Sequence, residues 1–101
     1  MAQGMNVIDY ATLAVDQAAV DLIADGSPAL PDAAKRVFIT CETAAVRWRA
    51  DGTAPTANEG HMLAANDSIS FTGANYRQLL EKIEFIADTA TAGALKITYY
   101  D

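Results

Sequence analysis

The sequence predicts an all-β protein: an antiparallel β-sandwich or jelly-roll-like barrel of seven to eight strands, with at most one short helical turn. Apolar and polar residues alternate along most of the chain from residue 10 onward, and Gly, Pro, Asn and Asp turn signals recur between the alternating runs. No stretch of helical length separates successive strands, which excludes a parallel βαβ architecture. The 101 residues suffice for one core. We predict a single sandwich domain over residues 10–101, preceded by an N-terminal arm over residues 1–9.

The first half of the chain predicts four strands. Alternation at residues 12–16 and 20–22 indicates two of them, and a Pro-containing loop follows over residues 25–34. The clearest strand covers residues 36–42, where Val37, Ile39 and Cys41 share one face. Phe38 on the opposite, otherwise polar face indicates that this face is also partly covered. Residues 46–49 predict the fourth strand, and residues 43–45 are short enough for a hairpin or a kinked strand pair.

The second half continues the pattern after an exposed loop at residues 51–60, where no apolar periodicity survives. Met62 and Leu63 lead into a turn at residues 66–67, and strands are predicted near residues 68–72, 83–86 and 95–100. Residues 76–82 are the one helix-like stretch, since Leu79 and Leu80 are good helix formers. We predict a short turn there in preference to a helix.

The composition describes a small acidic domain with a lean core, because alanine supplies 21 of the 52 hydrophobic residues. The net charge of −6 is uneven: residues 1–34 contain five aspartates and no Lys or Arg, and the remainder contributes only −1. In one interpretation these aspartates fill turns and solvent-exposed strand faces. In the other, the acidic segment docks on a basic surface of another protein.

Composition also bears on partners and location. The acidic balance and the lack of a basic cluster predict no nucleic-acid partner. No run of about 18 apolar residues is present, so we expect no membrane span. The N-terminal residues lack the basic and apolar regions of a secretory signal, and a single cysteine cannot form an internal disulfide. We therefore expect synthesis in a reducing cytoplasm.

The residue types and their spacing do not indicate a catalytic site or a metal site. Cys41 lies on the apolar face of its strand and is interpreted as a buried small hydrophobe, and His61 as a polar loop residue. One Cys and one His cannot form a zinc site, and the aspartates are too scattered for a calcium loop. Glu81 and Glu84 are interpreted as a solvated charged face. We predict no enzyme activity, no metal and no cofactor.

Seven residues are candidates for contacts with other proteins. Apolar residues of the arm have no partner within the predicted domain, and Asp9 belongs to the acidic segment. Trp48 is interpreted as a core anchor, which leaves its two flanking arginines free to pair with a partner. Tyr99 and Tyr100 must face opposite ways, so one of them lies outside the core. The candidates are Met5, Val7, Ile8, Asp9, Arg47, Arg49 and Tyr100.

Several segments resemble those of small tailed-bacteriophage virion proteins. The most specific is the Arg-Trp-Arg strand at residues 47–49, which runs into an Asp-Gly-Thr-Ala-Pro-Thr loop at residues 51–56. The Ser-Ile-Ser-Phe strand at residues 68–71 is similar, as are residues 83–87 and the Tyr-Tyr ending at residues 95–100. Glu84 stands where arginine is common in that group. The resemblance covers about residues 10–100, and the acidic N-terminal segment departs from it.

The resemblance implies a β-sandwich component of the virion and carries over no catalytic residue. We expect a protein that decorates or cements the capsid surface, binds the major capsid protein, and associates with copies of itself as a trimer or dimer. A neck, tail or fibre-base component is the alternative. A host-surface or carbohydrate-binding module using the 51–60 loop ranks lower, because that loop carries no aromatic residue.

Overall fold

A computed structural model describes residues 6–101 of the chain, and these residues form eight strands and one helix. In chain order the elements are β1 (Val7–Val15), β2 (Val20–Asp21), β3 (Arg36–Glu42), β4 (Val46–Arg49), β5 (His61–Leu63), β6 (Ser68–Phe71), α1 (Arg77–Lys82), β7 (Glu84–Ala87) and β8 (Gly93–Tyr100).

The strands form two four-stranded antiparallel sheets. The first has the order β1-β8-β3-β6 and the second the order β2-β7-β4-β5. The sheets bury their facing sides against each other, which confirms the predicted all-β sandwich. The long strands β1, β3 and β8 all lie in the first sheet, and the shorter second sheet carries the hairpin of β4 and β5.

The core forms because buried side chains meet in register across the central strands. In the first sheet Leu13 pairs with Leu95, and Ile97 pairs with Ile39. From the second sheet, Val46 and Phe85 are fully buried against this layer. Along β8, buried and half-buried residues alternate without exception, as expected of a strand with one face in the core.

The chain changes sheets at residues 43–45. These residues do not close a hairpin, because β3 and β4 belong to different sheets. The segment is instead the kinked alternative, a corner at which Thr43 adopts a positive φ of 77°. The length of this segment does not distinguish a hairpin from a corner between sheets, because both are formed by a few polar or small residues.

Residues 77–82 form a helix, and the predicted turn there is wrong. The backbone N–H of Arg77 donates to Asn75 Oδ1 at 2.9 Å, and Leu80 is buried against the core. The Arg77 guanidinium donates to the carbonyl oxygens of Pro31, at 2.6 Å, and Ala34, at 3.1 Å. These tertiary contacts stabilise a helix that is too short to be stable alone.

The predicted boundary between an arm and the domain at residue 10 also needs correction. Strand β1 begins at Val7, which lies opposite Tyr100, and Asp9 lies opposite Tyr99. Ile8 is the extra residue of a β-bulge between them. Residues 7–9 are therefore part of the sandwich, and residues 1–5 lie outside the described part of the chain.

Tyr99 is fully buried, and its hydroxyl has no hydrogen-bond partner among the described residues. Because an unsatisfied buried hydroxyl keeps its desolvation cost, we expect Tyr99→Phe to leave the free energy of unfolding unchanged or raise it by about 1 kcal/mol. Urea unfolding at pH 7 measures this, with Tyr10→Phe at an exposed position as the control. A loss above about 1 kcal/mol would indicate a hydrogen bond to that hydroxyl in solution.

The buried phenol of Tyr99 also predicts that the stability of the fold depends on pH. Burial, and secondarily the nearby Asp9, raise the pKa of Tyr99 above its ordinary value of 10.0. The unfolded chain then ionises this phenol above pH 10.0 while the folded chain keeps it neutral, so the stability falls as the pH rises beyond that point. The Tyr99→Phe variant should therefore lose less of its free energy of unfolding above pH 10.0 than the wild type does.

Candidate interaction surface

The outer face of the first sheet carries an apolar patch, defined here as Val7, Tyr10, Phe38 and Tyr100. Val7 is 65% exposed, Tyr10 54% and Phe38 39%, and Tyr100 is half-buried. Strand register places these residues together on three adjacent strands. Exposed apolar clusters of this kind are typical of protein interaction sites.

Two rows of side chains build the patch. In the first, Tyr10 of β1 and Phe38 of β3 both lie opposite Thr98 of β8, so their backbones are about 10 Å apart, two strand spacings. In the second, Val7 and Arg36 lie opposite Tyr100. The guanidinium of Arg36 donates to the backbone oxygen of Asp101, which holds it at the rim. The result is an aromatic centre with a charged margin, the composition typical of protein interfaces.

Of the predicted interaction residues of the N-terminal segment that the structure describes, Val7 alone has a largely exposed side chain. Met5 lies outside the described residues. Ile8 packs against the core, because the bulge turns it inward. Asp9 is half-buried, and its carboxylate accepts the N–H of Tyr10 at 2.8 Å. Ile8 and Asp9 are therefore structural residues, whereas Val7 and Tyr100 form a cross-strand pair within the patch.

Asp9 also protects the open edge of the first sheet. The backbone of Thr12 exchanges two hydrogen bonds with Ser27 on this edge, at 2.9 and 3.0 Å. The N–H of Tyr10, two residues earlier, points to the same side and is satisfied by Asp9. An edge blocked in this way is a poor template for strand addition. The face of the sheet is thus the more available surface for a partner.

The two arginines beside Trp48 are paired within the chain, contrary to the expectation that they are free. Arg47 Nε lies 2.7 Å from Asp88 Oδ1, and Arg47 Nη1 donates to the carbonyl of Gly60 at 3.1 Å. Both side chains of this ion pair are more than three-quarters buried, at 23% and 19% exposure. Arg47 therefore links the 51–60 loop to the second sheet through its hydrogen bond to Gly60.

Arg49 makes a bidentate pair with Asp51, through Nε to Oδ1 at 3.1 Å and Nη2 to Oδ2 at 2.5 Å. This hydrogen-bonded pairing lowers the pKa of the Asp51 carboxyl and raises that of the Arg49 guanidinium, so both groups stay charged. Asp51 follows Arg49 by two residues in the sequence, and this local pairing was open to prediction.

Two aspartates of the acidic segment have local structural roles. Asp21 Oδ1 accepts the N–H of Ala24 at 2.6 Å, and Asp25 Oδ2 accepts the N–H of Asp21 at 3.0 Å. These bonds organise the turn after β2, as Asp side chains commonly do. For these two residues and Asp9, the interpretation as turn and edge residues is supported over that of a docking segment.

A second surface feature is an open cleft of about 480 Å³ at the end of the β4–β5 hairpin. Trp48 and His61 lie opposite each other in register, with ring centroids 4.6 Å apart at an interplanar angle of 38°. The Trp48 ring also packs edge-to-face with Phe71 of the first sheet, at 5.7 Å between centroids. The carboxylates of Asp51 and Glu59 and the guanidinium of Arg49 complete the lining.

Gly60 allows the 51–60 loop to lie close to β4 at the inner end of the cleft. It adopts a φ of +141°, and an added Cβ would lie 3.1 Å from the carbonyl oxygen of Trp48 and 3.2 Å from Pro55. The loop can therefore approach β4 this closely only with glycine at this position. Glu59 and His61, the neighbours of Gly60, line the cleft together with Trp48.

Cys41 and His61 are placed far apart in the topology. Cys41 is buried in β3 of the first sheet, which confirms its interpretation as a small core residue, and its thiol donates to the Ala44 carbonyl at 3.2 Å. Burial, followed by the charges of Asp67 and Glu42, raises its pKa. His61 lies in β5 of the second sheet, so its expected place in a loop is wrong.

Some surface residues are not among the predicted interaction residues. Tyr10 is one of them, although its alternation with the buried Ala11 and Leu13 implies a side chain that points outward. Phe38 is predicted as an apolar residue on a polar face, but its partners on that face come from β1 and β8. The sequence alone does not pair His61 with Trp48, because their stacking depends on the β4–β5 register.

Comparisons with protein-family models, with curated proteins and with solved structures found no match. Within residues 6–101, no group of three His, Cys, Asp or Glu residues could hold a metal ion. The single helix of this described region is not long and apolar enough to cross a membrane.

Proposed function

We propose that this protein is a non-enzymatic structural component of a tailed-bacteriophage virion, which decorates or cements the capsid surface. It binds the major capsid protein through the apolar patch and associates with copies of itself as a trimer or dimer. It is made in the host cytoplasm and incorporated into the particle. The proposal rests on the resemblance of about residues 10–100 to small virion proteins, most specific at residues 47–56, and the β-sandwich fold is compatible with it.

The structural observation that supports a contact with another protein is the apolar patch on the first sheet. The free protein leaves two large aromatic rings, those of Tyr10 and Phe38, and the side chain of Val7 exposed to water on this face. Contact with another protein would remove them from solvent. In a symmetric shell each contact can be modest, because many copies bind together and the assembled array supplies avidity.

Co-sedimentation tests the proposal directly. The purified chain is mixed with particles of the phage that encodes it, prepared without this protein, and its stoichiometry on the shell is measured. We expect saturable binding at micromolar concentration with a copy number matching the capsid lattice, and a dimer or trimer by light scattering. A monomer that ignores the particles would contradict the proposal.

The same particles separate the alternative, a neck, tail or fibre-base component. Quantitative mass spectrometry of intact virions gives the number of copies per particle. Capsid decoration requires a copy number that scales with the major capsid protein. A count of about a dozen or fewer would instead favour the neck or tail, where a single ring of subunits is present.

A further inference from the structure

We propose that the cleft at the end of the β4–β5 hairpin binds a neutral saccharide. The cleft lies on the second sheet, and this inference is independent of the virion proposal, which rests on the sequence resemblance and places its capsid contact on the first sheet. Its volume of about 480 Å³ falls within the range of small-molecule sites and suits a mono- or disaccharide.

The wall of the cleft is aromatic. The Trp48 ring packs against the exposed ring of His61, at 4.6 Å between centroids, and edge-to-face with Phe71, at 5.7 Å. The indole is therefore fixed before any ligand arrives, and little conformational entropy is lost on binding. A pyranose ring has one face of C–H groups, which packs on such a wall, and a rim of hydroxyls that stays polar.

The polar groups of the cleft suit those hydroxyls. The Glu59 carboxylate makes no side-chain hydrogen bond or ion pair with any other residue of the 6–101 region, and is free to accept from hydroxyl donors. Arg49 uses Nε and Nη2 for Asp51, which leaves Nη1 as a donor. Charged groups make the stronger hydrogen bonds to neutral partners. The cleft thus offers both an acceptor and a donor beside an apolar wall.

The polar groups of the cleft favour a neutral ligand over an anion or a cation. An anion would face the carboxylates of Asp51 and Glu59 on a chain of net charge −6. A cation would be attracted by Glu59, but it could not accept a hydrogen bond from Nη1 of Arg49. A neutral molecule with hydroxyl groups can both donate to Glu59 and accept from Arg49.

Trp48 is the only tryptophan of the chain, so its indole N–H resonance reports on this cleft alone. The ¹⁵N-labelled protein is titrated into the millimolar range with methyl α-D-glucopyranoside, methyl α-D-mannopyranoside, methyl β-D-galactopyranoside and N-acetylglucosamine. We expect at least one of these sugars to shift the indole resonance saturably. N-acetyl-lysine methyl ester and inorganic phosphate, as cation and anion probes, should leave it unchanged.

Glu59→Gln is the variant that tests the assignment, and Glu42→Gln is its matched control. Glu42 is an exposed glutamate on the outer face of the other sheet, so its loss changes the net charge equally. Loss of a charge-assisted hydrogen bond should weaken sugar binding about tenfold in Glu59→Gln and leave Glu42→Gln unaffected. Circular dichroism checks that both variants fold.

The proposal is overturned if no sugar of the set shifts the indole resonance, if the two variants bind equally well, or if the lysine ester or phosphate saturates the site. These outcomes are separate from those of the virion proposal. Particle binding depends on the patch, and a chain that fails to bind sugars can still bind the capsid.

Discussion

Replacing both aromatic residues of the apolar patch, in Tyr10→Ser/Phe38→Ser, should abolish measurable binding to the capsid while leaving the fold intact. Buried aromatic anchors at interfaces each contribute about 2 kcal/mol or more, so removing both should weaken binding by about 4 kcal/mol, which is a loss of affinity of about 700-fold. Both side chains are exposed in the free protein, at 54% and 39%, and their removal should lower stability by no more than about 1 kcal/mol.

The matched control for this experiment is Ile23→Ser/Met62→Ser. These two residues are exposed to a similar degree, each at 51%, but lie outside the patch. The control variant loses a comparable amount of exposed apolar surface, and co-sedimentation with particles should find it equal to the wild type. If the control loses binding as strongly as the patch variant, general surface hydrophobicity and not the patch explains the contact.

Phe85→Ala should have the largest effect on stability. Phe85 is fully buried in β7, where it lies in register between Val20 of β2 and Trp48 of β4. Truncation of a buried phenylalanine removes its transfer free energy and leaves a cavity, which together cost about 3–5 kcal/mol. Domains of this size are stable by only about 5–15 kcal/mol, so the variant should lose a large share of its free energy of unfolding and unfold at a markedly lower temperature.

Phe38→Ala supplies the internal comparison, because it removes the same side chain from a partly exposed position on the outer face of β3. Chemical denaturation should give a loss of about 1 kcal/mol or less for this variant. The two substitutions also separate stability from binding: Phe85→Ala should weaken the fold, and Phe38→Ala the capsid contact. Equal losses of stability would contradict the placement of Phe38 outside the core.

The strands were predictable because alternation directly reports which side chains are buried. Val37, Ile39 and Cys41 were assigned to one face of a strand, and all three are buried in the structure. The same reasoning located β4, β6, β7 and β8 to within a few residues. Where the pattern was weak, at residues 77–82, the helix depends on contacts of Arg77 with a loop more than forty residues away in sequence.

The candidate surfaces were less predictable, because they depend on which strands become neighbours. Val7 and Tyr100 were both selected as interaction residues for separate reasons, and only the pairing of β1 with β8 brings them together. Arg47 looked free because its partner, Asp88, lies 41 positions away. Nothing in the sequence around Asp88 identifies its carboxylate as the partner of Arg47.

The sequence by itself determined that the chain is an all-β protein with one lean core and an acidic N-terminal third. These properties follow from the amino-acid composition and from the alternation of apolar and polar residues along each strand. Neither depends on which strands become neighbours. The tertiary structure alone decided which exposed residues share a surface. Strand order and register are set by the packing of two whole sheets, and a strand's own residues do not specify its neighbour. That packing assembled the apolar patch from three strands and the cleft from both sides of one hairpin.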